Sequence, residues 1–217
     1  MAATATAAAA GPDWRPLPRE FFAPSAALVA PALLGHGLWR RTAAGWCGGW
    51  IVETEAYLAN DPAAHSFRGP TERNRAMFGP PGRAYVYFIY GNHHCVNAVC
   101  GPAGVGEAVL IRAVEPVAGR ELLHARRPVR RPVDVTNGPG KLCAAMAIDR
   151  SLDGGDLLAP DAALQLVENP DLKAWLAAHG PVITTPRIGL RAAADWPLRF
   201  VAAGSAFVSR RATTAAK

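Results

Sequence analysis

The apolar-rich runs Gly37 to Arg41 and Trp46 to Tyr57 read as two strands around a loop at Thr42 to Gly45. Strict alternation in the second strand would set Ile51, Glu53, Glu55 and Tyr57 on one face. Two acids and a tyrosine beside Ile51 are unusual for plain core packing. Ala84 to Tyr90 and Cys95 to Cys100 read as a hairpin, with Gly91-Asn92 expected to supply positive backbone dihedrals and Tyr90 at the tip. Ala108 to Val114 is an apolar strand broken only by Arg112, and Glu115-Pro116 predicts its end. Further strands are expected near Leu164 to Glu168, Val182 to Thr184 and Leu198 to Val201.

Ser25 is expected to cap a short helix through Leu34, with Gly35 at its end and Pro31 as a kink. Residues 58 to 83 are rich in Asn, Asp, Pro, Gly and Arg and predict a long ordered connection, with a helical turn near Thr71 to Met77. Arg126 to Arg131 carries four arginines punctuated by prolines and reads as a mobile basic loop attracted to phosphates. Gly138-Pro139-Gly140-Lys141 predicts a helix start, continuing through Ile148, whose free amides and Lys141 suit a phosphate. It is not a nucleotide P-loop, because the spacing differs and Leu142 stands where Ser or Thr is needed. No repeat or linker divides the chain, so one domain is expected over 15–210, with tails at 1–14 and 211–217.

Composition narrows the class. With 50% hydrophobic and 18% charged residues, the 217-residue chain can bury a full core. Lys and Arg outnumber Asp and Glu by 23 to 17, for a net charge of +6; a polyanionic partner and plain solubility both fit that excess. Cys47, Cys95, Cys100 and Cys143 form no Cys-x-x-Cys pair, which removes a recognisable zinc or iron-sulfur site and suggests a reducing compartment. His93 and His94 would point to opposite faces of a strand, so with Cys95 they make a poor metal site. No apolar run is long enough for a membrane helix, and a soluble, intracellular protein is expected. All four tyrosines fall between Tyr57 and Tyr90, directly after the paired glutamates Glu53 and Glu55. Flat rings with polar tips suit stacking on a nucleobase.

Ordered pieces across residues 15 to 210 closely resemble the alkyladenine, or 3-methyladenine, DNA glycosylase family. They are Val52-Glu53-Thr54-Glu55-Ala56-Tyr57, Ala64-His65-Ser66, Arg73-Asn74-Arg75, Tyr85-Val86-Tyr87-Phe88-Ile89-Tyr90-Gly91, Cys95-Val96-Asn97 and Leu110-Ile111-Arg112-Ala113. Gly140-Lys141-Leu142, Pro186-Arg187-Ile188-Gly189 and Pro197-Leu198-Arg199-Phe200 follow in order. The resemblance implies an α+β fold, with a curved, largely antiparallel sheet flanked by helices and a hairpin that enters DNA. It implies a monomer acting on damaged purines in double-stranded DNA, without metal or cofactor.

By the same resemblance Glu55 is the catalytic base that activates a water, and Arg112 helps hold that water. Tyr57, His65 and Tyr87 would stack on the flipped base, with Asn97 at the pocket floor rejecting normal guanine. Tyr90 would fill the gap left in the duplex. Glu53 is expected in a structural ion pair or at the surface, and Tyr85 as packing. Arg73, Arg75 and Lys141 are candidates for DNA backbone contacts. Asn92, His93 and His94 depart from the larger residues common in the family at the hairpin tip. No lysine adjoins Glu55, which implies hydrolysis without strand cleavage. The competing reading is a non-catalytic nucleic-acid-binding module, for which a carboxylate near phosphates would be a liability. A metal-dependent deaminase would need His-x-Glu and Pro-Cys-x-x-Cys elements that the chain lacks.

Overall fold

The computed structural model describes residues 14–210, so the expected tails, apart from Trp14, lie outside the described residues. Its strands are β1 (Gly37–Thr42), β2 (Gly45–Tyr57), β3 (Ala84–Ile89), β4 (His93–Cys100), β5 (Glu107–Ala118), β6 (Leu164–Val167), β7 (Val182–Thr185) and β8 (Arg199–Ala202). All join one curved sheet in the order β3-β4-β5-β2-β1-β6, with β8 beside β2 and β7 beside β8. Every pairing is antiparallel. Helices α1 (Ala26–Ala32), α2 (Arg120–Arg126), α3 (Pro139–Met146) and α4 (Leu172–His179) complete the expected α+β architecture. No described helix is long and apolar enough to cross a membrane.

Alternation along β3, β4 and β5 makes two different faces. Val86, Val96, Ala98, Val109 and Ile111 enter the main core with Val29 and Ala30 of α1 and Leu142 and Met146 of α3. Each fully buried large aliphatic there contributes roughly 1.5–3 kcal/mol relative to exposure. The opposite face carries Tyr85, Val99 and Ala108, which pack on Met77 of the long connection. A third cluster joins Val52, Ala113 and Val201 to Trp175 of α4.

The β2–β5 ladder is irregular where function is expected. Ile51 pairs with Val114, Glu53 with Ala113 and Thr54 with Ile111, so an extra residue lies first on β2 and then on β5. Such a bulge changes which side chains share a face. Ile51 accordingly enters the main core with Ala56, while Val52 enters the α4 cluster. The expectation that Ile51 shares a face with the two glutamates is therefore corrected. A second shift at Gly48/Gly49 lets β5 run through Pro116 to Ala118 instead of ending at Glu115-Pro116. Only glycine fits at 49, since a Cβ there would lie 1.9 Å from the Glu115 carbonyl oxygen.

Several local expectations need revision. Ser25 occupies the N-cap position of α1, but its hydroxyl donates to Glu107 Oε2 at 2.7 Å, and that same oxygen accepts from Ala26 N at 2.8 Å. Glu107, distant in sequence, is the helix cap. The helix ends at Ala32, one residue past Pro31, and the chain turns at Gly35 with φ +83°. Helix α3 stops at Met146, short of Ile148, because Ala147 takes φ +52°. Arg126 is no part of a loose loop: it closes α2 and donates to Thr42 Oγ1 at 2.9 Å and to the Ala145 carbonyl at 3.3 Å. Arg130 and Arg131 remain exposed.

Replacing Glu107 with Ala removes the α1 cap and should cost about 1 kcal/mol in urea unfolding, more than Ser25→Ala does. Equal losses would contradict the assignment. His36 gives a second test, because burial lowers its pKa to about 4 against an opposing hydrogen bond with the Val167 backbone. Unfolding restores an ordinary value near 6.5, so between about 6.5 and about 4 only the unfolded chain takes up this proton. Stability should fall by about 3 kcal/mol as pH drops through that window. His36→Gln should flatten the slope, as read from unfolding midpoints across the window.

Candidate active site

The face of β3-β4-β5 turned away from the main core forms the floor of a cavity of about 270 Å³. Register sets its contents: Tyr85 lies opposite Asn97, Tyr87 opposite Cys95, and Asn97 opposite Leu110. Tyr57 at the end of β2, His65 from the long connection and Ile188 from the loop before β8 supply walls, and Tyr90 stands at the rim. Arg112 reaches the same cavity from β5. Tyr57, His65, Tyr87 and Asn97, expected around a base, thus line one space together with Arg112, expected at the water, and Tyr90, expected in the duplex gap.

Glu55 is fully buried beside it. One carboxylate oxygen accepts from the Tyr57 hydroxyl at 3.0 Å and faces Arg112 Nη1 at 3.1 Å; the other accepts from Ile188 N at 2.8 Å. Arg112 is itself held by Glu53, whose Oε1 lies 2.7 Å from its Nε. That same oxygen accepts from Arg199 Nε at 2.8 Å and Ser209 Oγ at 2.7 Å, and Oε2 accepts from Ser209 N at 2.5 Å. Glu53 is therefore the buried anchor of the arginines, not a surface residue. Burial works to raise its pKa, but Arg112 and Arg199, with the Ser209 amide, more than offset that and hold it below the ordinary carboxylate value. Burial likewise opposes the Arg112 charge, and Glu55 and Glu53 outweigh it, raising the guanidinium further.

The aromatic walls are held in defined states. Burial, then the charge of Glu55, pushes the Tyr57 phenol well above its usual pKa, so its hydroxyl stays a donor. Burial also raises Tyr87. For His65, burial and then the Arg73 charge lower the pKa, which favours the neutral imidazole. Its Nδ1 shares a 2.8 Å hydrogen bond with the Tyr85 hydroxyl, and its ring meets Tyr87 edge-on at 4.5 Å. Tyr85 is thus more than packing, since it fixes the imidazole. Asn97 is pinned by donation from Nδ2 to the Tyr85 carbonyl at 2.9 Å.

Behind Tyr57 lies a pair that sequence reasoning left without a role. Arg187 donates from Nη2 to Asp61 Oδ1 at 3.0 Å and from Nη1 to Asp61 Oδ2, and Nη1 also reaches the Ala56 carbonyl at 3.0 Å. Its guanidinium carbon lies 4.6 Å from the centre of the Tyr57 ring. The available signal was the Pro186-Arg187-Ile188-Gly189 piece, although nothing local couples it to Asp61.

At the hairpin tip, positive φ falls on Tyr90 (+55°) and Gly91 (+72°), not on Gly91 and Asn92 as expected. Asn92 N closes the turn on the Ile89 carbonyl at 3.3 Å. A non-glycine residue in this conformation costs about 1–2 kcal/mol, and Tyr90 is 79% exposed besides. The basic candidates stand outside the cavity. Arg73 donates to the Phe88 carbonyl at 3.0 Å, Arg75 sits exposed 3.4 Å from Glu72, and Lys141 donates to Asn137 Oδ1 at 2.8 Å.

Comparison with known proteins identifies the family. The family model described as methylpurine-DNA glycosylase (MPG) matches residues 20–206. A protein of Methanoculleus marisnigri named "Putative 3-methyladenine DNA glycosylase" is 50% identical over 195 residues, covering 90% of this chain and 99% of that relative. Relatives with the same name in Koribacter versatilis and Agrobacterium fabrum are each 46% identical, covering 89% and 90% of this chain and 93% of their own lengths. With the match running from before α1 to beyond β8, the chain belongs to the methylpurine-DNA glycosylase family.

Proposed function

We propose that this chain is a monofunctional DNA glycosylase that flips alkylated purines, such as 3-methyladenine and 7-methylguanine, out of duplex DNA and releases them by hydrolysis. The observation that carries the reading is Glu55, a buried carboxylate held beside an aromatic cavity by Tyr57, Arg112 and Ile188, all three of which line it. A binding module has no use for such a group.

In the proposed reaction the damaged base stacks against Tyr57, His65 and Tyr87, whose π faces favour a cationic, electron-poor ring. Asn97, fixed by Tyr85, meets the base edge and disfavours the amino group of normal guanine. The bond from C1′ to the base nitrogen breaks and its electrons neutralise the departing base. A water oxygen bonds to C1′, and Glu55 accepts the water proton. Arg112 orients the carboxylate and that water. A neutral lesion such as hypoxanthine or ethenoadenine would additionally need protonation before it leaves. Among the described residues no lysine lines the cavity, which supports hydrolysis over Schiff-base chemistry. Tyr90, exposed on its strained turn, fills the gap in the duplex, and Arg73, Arg75 and Lys141 attract backbone phosphates. The working form is a monomer inside the cell, where the DNA is.

Glu55→Gln should slow single-turnover base release from a 7-methylguanine duplex by about 10²–10⁴ or more, with affinity for an abasic-site analogue kept within a few fold. Release at the wild-type rate would take Glu55 out of the mechanism. Tyr90→Ala should weaken flipping, followed with a fluorescent base analogue beside the lesion, by about tenfold, a loss of the size of one stacking contact. Undisturbed flipping in that variant would remove the plug role.

A further inference from the structure

Arg187 is fully buried at its side chain and is absent from the cavity wall, although its neighbour Ile188 lines it. It therefore covers the face of Tyr57 turned away from the cavity, with its guanidinium carbon 4.6 Å from the ring centre. Both of its terminal nitrogens are bound by Asp61, so the cation is locked there and cannot swing away. One face of Tyr57 remains for a base. A cation on one face of an aromatic ring draws π density toward itself and repels a second cation on the other face.

We infer that Arg187, held by Asp61, is a specificity-determining residue: it tempers the preference of Tyr57 for cationic over neutral bases and so widens the range of lesions the pocket holds. This rests on the base-stacking role of Tyr57 in the proposed function. The remaining cation preference then comes mainly from Tyr87, which has no such backing cation among the described residues.

The test measures dissociation constants in a Glu55→Gln background, for duplexes carrying 7-methylguanine, hypoxanthine or no lesion. Arg187→Met is combined with Asp61→Asn so that neither charge is left buried alone. The preference for 7-methylguanine over hypoxanthine should grow about three- to tenfold in the paired variant and stay at the parent value in Arg187→Lys, which keeps the cation. Both affinities falling together, with the ratio unchanged, would reduce Arg187 to scaffold and overturn the inference. So would a ratio that shrinks. Should the Met pair fail to fold, Arg187→Gln with Asp61→Asn is read on the same ratio. A parent that binds no lesion better than undamaged DNA, with a wild type that releases no base, would sink the functional proposal itself, an outcome distinct from an unmoved ratio.

Discussion

Charge neutrality in a place shielded from bulk solvent governs this molecule. Glu53, Glu55 and Asp61 face Arg112, Arg187 and Arg199, three negative against three positive, and all six residues are buried. An unpaired ion there would cost several kcal/mol. Each charge therefore constrains the others. Arg112 spends its Nε on Glu53 and so has Nη1 left at the angle that meets Glu55. Asp61 fastens the long connection to Arg187, and the residue after Arg187 donates its backbone amide to Glu55. Elements remote in sequence are drawn into one arrangement because any other leaves a carboxylate or guanidinium stranded.

The sheet makes room for that network by breaking its own regularity. A uniform β2–β5 ladder would put Glu53, Glu55 and Ile51 on a common side and force acid and aliphatic to share one environment. The paired bulges send Ile51 to the core and leave Glu53 and Glu55 with Arg112. Strand alternation then serves both purposes along β3 to β5: apolar residues on one side for stability, and Tyr87, Asn97 and Arg112 on the other for the cavity.

Much of this was legible in the residues because the relevant interactions are periodic. The hairpin, the strands β1 to β5 and the shared location of Tyr57, Tyr87 and Asn97 follow from alternation and from a resemblance spread over many short pieces. What escaped has no period. Helices α2 and α4 each bury a single side chain, Leu123 and Trp175, too little to mark an amphipathic stripe. Glu107 capping α1 spans 81 residues and Arg187 binding Asp61 spans 126, so neither partner announces the other locally. Tyr85 looked like packing since its hydroxyl's partner, His65, lies in a loop whose course the sequence leaves open. The bulge at Val52 was hidden in the same way, because a register shift is a property of two strands and not of one.

The Ser209 contacts with Glu53 span 156 residues. At roughly 5–20 residues per second of synthesis, that is about 8 to 30 seconds between the making of the acid and the making of its last donors. During that interval β2 has been translated but the Glu53 carboxylate lacks two of the donors it binds in the fold. Glu53 gains its last donors only once β8 and the segment after it have left the ribosome. A nascent chain that has not yet reached Ser209 therefore holds Glu53, and through it Arg112, without those two donors.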